Sequence, residues 1–301
     1  MKNTLALTAL AIAIAAPSTA LATDVKFGGH VQVKLPLIED ISIDGEDVDN
    51  DFRSALAAGD VRLNASAEET VGGLTGFVNV QLNMDTLNEG AIYSTDGVRV
   101  GIKGDFGTVK FGAADDVNFG RYAGDIAGEG IGNSQSFGYT NTFGTVNVGA
   151  LYALEPNEAN ADPDGKEGRT AIGASTAIGS LNVGASYGTG IDDRIIVGVG
   201  TDLGDISVGA HYYSQKQGDN TDNVIAAKAS GAAGVWSWGV TVAALTSEQG
   251  DLEGEGTNIR LNLGTKVAGL NFDFEANQNN GSVEDVDGSE TNAVIKLGRS
   301  F

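Results

Sequence analysis

The chain repeats one unit, a short turn closed by glycine followed by a strand of alternating polarity. Phe106-Gly-Thr-Val-Lys-Phe-Gly-Ala-Ala114 is one copy, and Phe143-Gly-Thr-Val-Asn-Val-Gly-Ala-Leu-Tyr152 is another. Ile178-Gly-Ser-Leu-Asn-Val-Gly-Ala-Ser-Tyr187 and Leu203-Gly-Asp-Ile-Ser-Val-Gly-Ala-His-Tyr212 follow, with looser copies at Gly73, Gly234 and Gly269. The side-chain period is two, the period of a strand and not of a helix. The turns alternate with polar segments at Glu39–Asp51, Asp85–Glu89, Asp115–Asn133, Glu155–Gly168, Gly190–Asp193, Gln217–Asp222, Ser247–Gly256 and Asn277–Glu290. Seven short turns and eight longer loops predict sixteen antiparallel strands with both termini at the short-turn end. The 44 Gly and 4 Pro suit many strands joined by tight turns.

Alternation alone fits two architectures. In a closed barrel within a bilayer, apolar side chains face lipid and polar ones face the lumen. In a soluble sandwich the apolar set forms the core. The aromatic residues supply a ruler. Phe143 and Tyr152 are nine residues apart, as are Ile178 and Tyr187, and Leu203 and Tyr212. Nine strand residues rise ~30 Å, and a tilt of ~40° reduces this to ~23 Å, near the ~25 Å apolar band between aromatic girdles. Tyr152, Tyr187 and Tyr212 are thereby expected at the outer interface, and Phe106, Phe143, Trp236 and Phe301 at the inner one. A mean hydropathy of −0.05 is compatible with such a barrel, because half of each strand is hidden from lipid. The first strand, Asp24 to about Ile38, and the last, Thr291 to Phe301, must pair, since an open edge in lipid leaves backbone groups unsatisfied.

The amino terminus reads as an export signal. Lys2 precedes the apolar run Leu5 to Ala16, and Ala20-Leu21-Ala22 has the form of a cleavage site. The run is too short to span a bilayer as a helix, which disfavours an uncleaved anchor. Residues 1–22 are thus expected to be a signal peptide and 23–301 one barrel domain. The absence of Cys excludes a disulfide framework and a thiolate metal site. The formal net charge of −22 argues against nucleic acid as a partner, because phosphates are repelled.

The signal peptide, the sixteen-strand rhythm, the FGTVKFG and FGTVNVG turns and the terminal Phe301 together resemble the general porins of Gram-negative outer membranes, over the whole mature chain. The resemblance implies a sixteen-stranded all-β transmembrane barrel in the bacterial outer membrane, with short periplasmic turns and long extracellular loops. It also implies a water-filled channel for passive diffusion of ions and small hydrophilic solutes, and a homotrimer. The carboxyl-terminal aromatic, here Phe301, is in that family a signal to the outer-membrane assembly machinery. Arg299 departs from the usual apolar character of that strand's outer face and is expected to snorkel. The family's third long loop folds inward to narrow the pore. Here the corresponding segment is 114–133, with acidic residues Asp115, Asp116, Asp125 and Glu129 and no Pro-Glu-Phe-Gly-Gly run.

Strand parity places Lys26, His30, Gln32 and Lys34 toward the lumen on the first strand, Arg62 on the second, Arg99 and Lys103 on the fourth and Lys110 on the fifth. Their cations are expected to form a basic wall opposite the acidic loop, giving a transverse field across the narrowest point. The acidic excess predicts a weak preference for cations, and loop carboxylates are suited to divalent cations that bridge lipopolysaccharide. No enzyme, cofactor or dedicated metal site is expected. The only histidines, His30 and His211, share lumen parity, so neither meets a lipid-facing serine, and the lumen carboxylates Asp273 and Glu275 read as hydrated wall residues. Three alternatives stand beside this reading. They are a substrate-specific channel, for which Tyr213 is the one inward aromatic candidate, a secreted soluble adhesin or calcium-binding β-protein, and a barrel plugged by its own loops.

Overall fold

The computed structural model describes residues 25–44, 46–47, 58–85, 94–114, 117–124, 133–153, 168–190, 192–250, 252–283 and 286–300. The signal segment 1–22, Phe301 and the carboxylates of Asp115, Asp116, Asp125 and Glu129 lie outside the described residues. Among the described residues there are sixteen long strands and one of two residues, β2. The strands are β1 Val25–Ile43, β2 Glu46–Asp47, β3 Ala58–Val71, β4 Leu74–Asp85, β5 Ser94–Gly104, β6 Gly107–Ala114, β7 Asn133–Phe143 and β8 Val146–Ala153. They continue as β9 Arg169–Ile178, β10 Leu181–Gly190, β11 Asp193–Leu203, β12 Ile206–Gln217, β13 Asn220–Ala233, β14 Trp236–Gln249, β15 Leu252–Val267, β16 Leu270–Val283 and β17 Val286–Ser300.

All of the long strands pair antiparallel with their neighbours, and β1 also pairs with β17, from His30↔Ser300 to Ile43↔Gly288. The sheet is thus a closed barrel, and closure removes both edges that lipid could not solvate. The ladder slips once, between Pro36 and Ile38, where proline lacks the N–H that a regular ladder needs. At the loop end the β1–β17 seam continues past the strand, with the Asp44 N–H donating to Asp287 O at 2.7 Å.

Seven two-residue turns join the strands at one end, as the repeated unit predicts. Gly144, Gly179, Gly204 and Gly234 open four of them with φ near +60°, and Gly72–Gly73 and Ala268–Gly269 have both central residues left-handed. The opposite end has eight connections, the expected number, but four are shorter than the polar composition suggests. Gln217–Asp222, Ser247–Gly256 and Asn277–Glu290 are mostly strand and Gly190–Asp193 is half strand, with two residues between consecutive strands in each case. Polar residues such as Asn279↔Glu290 and Ser282↔Asp287 continue the ladder because strand pairing is made by backbone groups, whatever the side chain.

The apolar side of the alternation faces outward. Phe143 is 60% exposed, Ile172 59% and Ile225 64%, and the same holds along nearly every strand. Leaving a Val, Leu, Ile or Phe side chain in water forfeits ~1.5–3 kcal/mol, so a band of this extent requires an apolar surrounding. Among the described residues the buried apolar cluster lies inside the ring, where Val117 and Ala123 meet Leu151, Ala171, Ile196, Val224 and Ala226.

Candidate functional site: the barrel lumen

Register and exposure assign the inner face. Lys26, His30 and Lys34 alternate with Phe27, Val31 and Val33 on β1, and His30 pairs with Arg62 of β3. Arg99 pairs with Asn79 and Gly112, Lys103 with Thr75 and Thr108, and Lys110 with Gly101 and Gly138. The six expected cations therefore share one inward-facing arc over β1 to β6. Lys26 and Arg62 are exposed, and Lys34, Arg99, Lys103 and Lys110 are half-buried. The arc is not purely basic. Lys103 Nζ stands 3.1 Å from Glu68 Oε2, an exposed pair worth under ~1 kcal/mol that offsets the charge of that lysine.

The described residues after β6, Val117 to Gly124, lie inside the ring against β9 to β12, three to six strands round from β6. Ser186 Oγ donates to Phe119 O at 3.0 Å, and the Ala123 N–H donates to His211 Nδ1 at 3.3 Å. A line of glycines on the wall receives the segment. A Cβ on Gly184 would lie 2.7 Å from Gly120 N, one on Gly200 2.8 Å from the Tyr122 ring, and one on Gly209 2.6 Å from Tyr122 O. Real Cβ atoms do not approach so closely, so glycine at these wall positions is what admits the loop backbone. Val117 and Ala123, both essentially inaccessible, anchor the segment in the inner apolar cluster. Burial pushes the Tyr122 phenol above its ordinary value, so it stays uncharged at neutral pH.

At the loop end of the same wall, Asp192 is gripped by two guanidinium groups. Arg169 Nη2 is 2.8 Å from Oδ1, and Arg194 reaches Oδ2 from Nη2 at 2.7 Å and from Nε at 2.9 Å. Gln215 Nε2 adds a donor to Oδ2 at 2.9 Å, and the Tyr213 hydroxyl donates to Gln215 Oε1 at 2.6 Å. Asp192 is 3% exposed, so the carboxylate survives there only because it is paired on both oxygens. The cluster carries a net charge of one positive unit on the wall that the loop covers.

Tyr152, Tyr187 and Tyr212 all project outward near the loop end and are 40–49% exposed. The Tyr212 hydroxyl donates to Asn223 Oδ1 at 2.7 Å, the pattern of an aromatic body with a polar tip. Phe106, Phe143 and Trp236 are exposed at the turn end. Both histidines face inward, His211 buried beneath the loop and His30 beside Ser300. Among the described residues no three His, Asp or Glu side chains converge as a metal site.

Sequence reasoning missed the glycine track and the Arg169–Asp192–Arg194 cluster. Lumen parity was a usable signal for Arg194 and Gln215. Asp192 carried none, because it sits in a hairpin tip where aspartate is ordinary.

A family model described as Gram-negative porin matches residues 6–262. No curated protein matches the sequence. Among solved structures the chain is similar to OmpT, an outer membrane protein of Vibrio cholerae in trimer form, at 16% identity and a TM-score of 0.67, covering 93% of this chain and 100% of that one. It is similar to an anion-selective porin from Comamonas acidovorans at 15% identity and a TM-score of 0.69, covering 93% and 100%. It is also similar to Salmonella typhi OmpF, solved in complex with daunomycin, at 10% identity and a TM-score of 0.69, covering 93% and 98%. With a family match over most of its length and a closed sixteen-strand barrel to accompany it, the chain belongs to the Gram-negative porin family.

Proposed function

We propose that this outer-membrane diffusion channel is constricted by segment 114–133 and weakly prefers cations, passing ions and small hydrophilic solutes without catalysis. The observation that carries the constriction is the seating of Phe119 to Gly124 on the glycines of β10 to β12. On this reading the basic arc of Lys26, Lys34, Arg62, Arg99, Lys103 and Lys110 stands across the remaining passage, and Asp115, Asp116, Asp125 and Glu129 supply the opposing charge.

The cation preference rests on the net charge of −22 and on where the sequence concentrates it. The connection between β8 and β9 alone carries Glu155, Glu158, Asp162, Asp164 and Glu167 against Lys166. Acidic mouths raise the local cation concentration, and the basic lumen arc opposes them, so the net preference is weak. The reversal potential of the channel in a tenfold salt gradient tests this, and an anion-selective sign overturns it.

The exposed Tyr152, Tyr187 and Tyr212 serve on this reading as the outer aromatic girdle, and residues 1–22 as a cleaved signal peptide. The partners are a second and third copy of the chain in a homotrimer, lipopolysaccharide at the outer rim, and the assembly machinery through Phe301. One of the similar structures, OmpT of Vibrio cholerae, is a trimer form, and crosslinking in native outer membranes tests the trimer here.

A further inference from the structure

We propose that the lumen holds a binding subsite for short linear zwitterions, dipeptides by class, between Lys228 and Asp273. The proposal rests on the porin reading and adds to it a preferred solute. A cavity of about 380 Å³ opens on the inner wall at the turn end of β13 to β17, away from the constriction loop. Its lining includes Lys228, Asn262, Asp273 and Gln32, with Ser230 and Ser237 supplying hydroxyls.

The charges in this cavity do not all cancel. Lys296 Nζ donates to Glu275 Oε2 at 2.5 Å, and that pair is self-contained. Among the described residues no ion pair or hydrogen bond joins Lys228 or Asp273 to another side chain. Lys296 stands directly across the ladder from Asp273 but is held by Glu275, so this corner of the cavity keeps one net negative charge, while Lys228 lies toward its other end. Partly desolvated single charges favour a ligand that brings the opposite charge to each.

The register sets the length of that ligand. Ser237, Gly264 and Asp273 form one cross-strand row, and Ser230, Gly239 and Asn262 the next, with Lys228 two residues beyond Ser230. Lys228 and Asp273 are thus separated by three strand spacings, ~14 Å, and about four residues of rise, ~13 Å. The diagonal is ~19 Å between Cα atoms, and a lysine and an aspartate both laid along the wall toward each other shorten it to a gap on the order of 10 Å. Two extended residues span ~7 Å, and a hydrogen bond at each end adds ~2.8 Å. A dipeptide bridges such a gap, with its ammonium on Asp273 and its carboxylate on Lys228, whereas a single amino acid is too short to engage both. Gly264 keeps the anionic end open. A Cβ there would lie 2.6 Å from Asp273 Oδ1 and 2.8 Å from Ser237 Oγ, so these two oxygens converge over bare backbone.

The test is titration of glycylglycine against the ion current of the channel in planar lipid bilayers. The expected result is a saturable decrease in current, with apparent affinity at least tenfold weaker in Lys228→Gln and in Asp273→Asn. Glycine and glycylglycinamide should give no saturable effect. Heat-modifiable migration of each variant in gel electrophoresis, the same as that of the wild type, reports that the barrel has formed. A response that stays linear in the wild type, or equal affinity in the variants, overturns the subsite. A protein that opens no channel overturns the porin reading instead, and calorimetric titration of glycylglycine into the detergent-solubilised barrel then decides the subsite separately.

Discussion

A Cβ placed on Gly198 would stand 1.9 Å from the carbonyl oxygen of Gly120. Strand β11 and the crossing loop are therefore in backbone-to-backbone contact, and the loop's position depends on the absence of side chains on the wall. At Gly209 of β12 the three atoms nearest a Cβ all belong to Tyr122 of the same loop, so Gly209→Val should dislodge the segment while leaving the ladder to β11 and β13 in place. Overpacking of this kind typically costs ~1–3 kcal/mol. Single-channel conductance is expected to change measurably, with wider scatter between open levels. An unaltered conductance in a correctly folded variant counts against the loop as the constriction.

Asp192 offers a second handle, because it holds two guanidinium groups at once. Removing one member of a buried pair typically costs 3–5 kcal/mol, as the partner is left buried and unanswered. Asp192→Asn should lower the unfolding free energy of the barrel, measured by urea titration in lipid vesicles, by an amount in that range. It also adds one positive charge to the lumen wall, so the reversal potential should move toward anions. Loss of stability without the shift in potential places the cluster away from the ion path.

Much of the barrel was legible because its rules are local. Seven turns could be read from glycine placement, and face assignment from parity, since a one-residue slip in register would turn every side chain to the wrong side. Strand length was less legible. Asn279, Asn280 and Ser289 look like loop residues, yet they remain in the ladder, because two paired strands satisfy each other's backbone regardless of side chain. The inner contacts were not legible at all. Gly184, Gly198, Gly200 and Gly209 are weak strand residues whose reason lies in a loop more than sixty residues earlier in the chain, and no local pattern carries that.

Ala268 is the one non-glycine residue at a left-handed turn on the short-turn side, with φ +52°, among the described residues. A Cβ disfavours that conformation, whereas glycine adopts it freely. Ala268→Gly removes the steric cost in the folded state but adds freedom to the unfolded chain, so the two effects oppose each other. Ala268→Asn relieves strain without that entropy term, and the sequence becomes Asn-Gly, the preferred pair for such a turn. The asparagine variant should therefore be the more stable of the two, by up to ~1 kcal/mol over the parent. Parallel urea unfolding of the three proteins in vesicles gives the order directly.

The outward face can be tested against its mirror position on the same strand. Val240 of β14 is 37% exposed and pairs with Ala229 and Leu261, while its neighbour Thr241 faces inward at 4% exposed. It lies midway along the strand between Trp236 at the turn end and Ala244 in the row of Tyr212 and Ile225. If the exposed side meets lipid, Val240→Arg puts a guanidinium near mid-bilayer at a cost of ~2–4 kcal/mol. In a soluble sandwich, with Val240 on the watered surface, the same change would be close to neutral. Ser247, on the inward face nearer the loop end of β14, provides the control, since an arginine there enters water and not hydrocarbon. Refolding yield into vesicles is expected to fall for Val240→Arg and to hold for Ser247→Arg. Equal yields would mean that the greasy side of the alternation is not the side in the membrane, and the bilayer placement of the barrel would have to be given up.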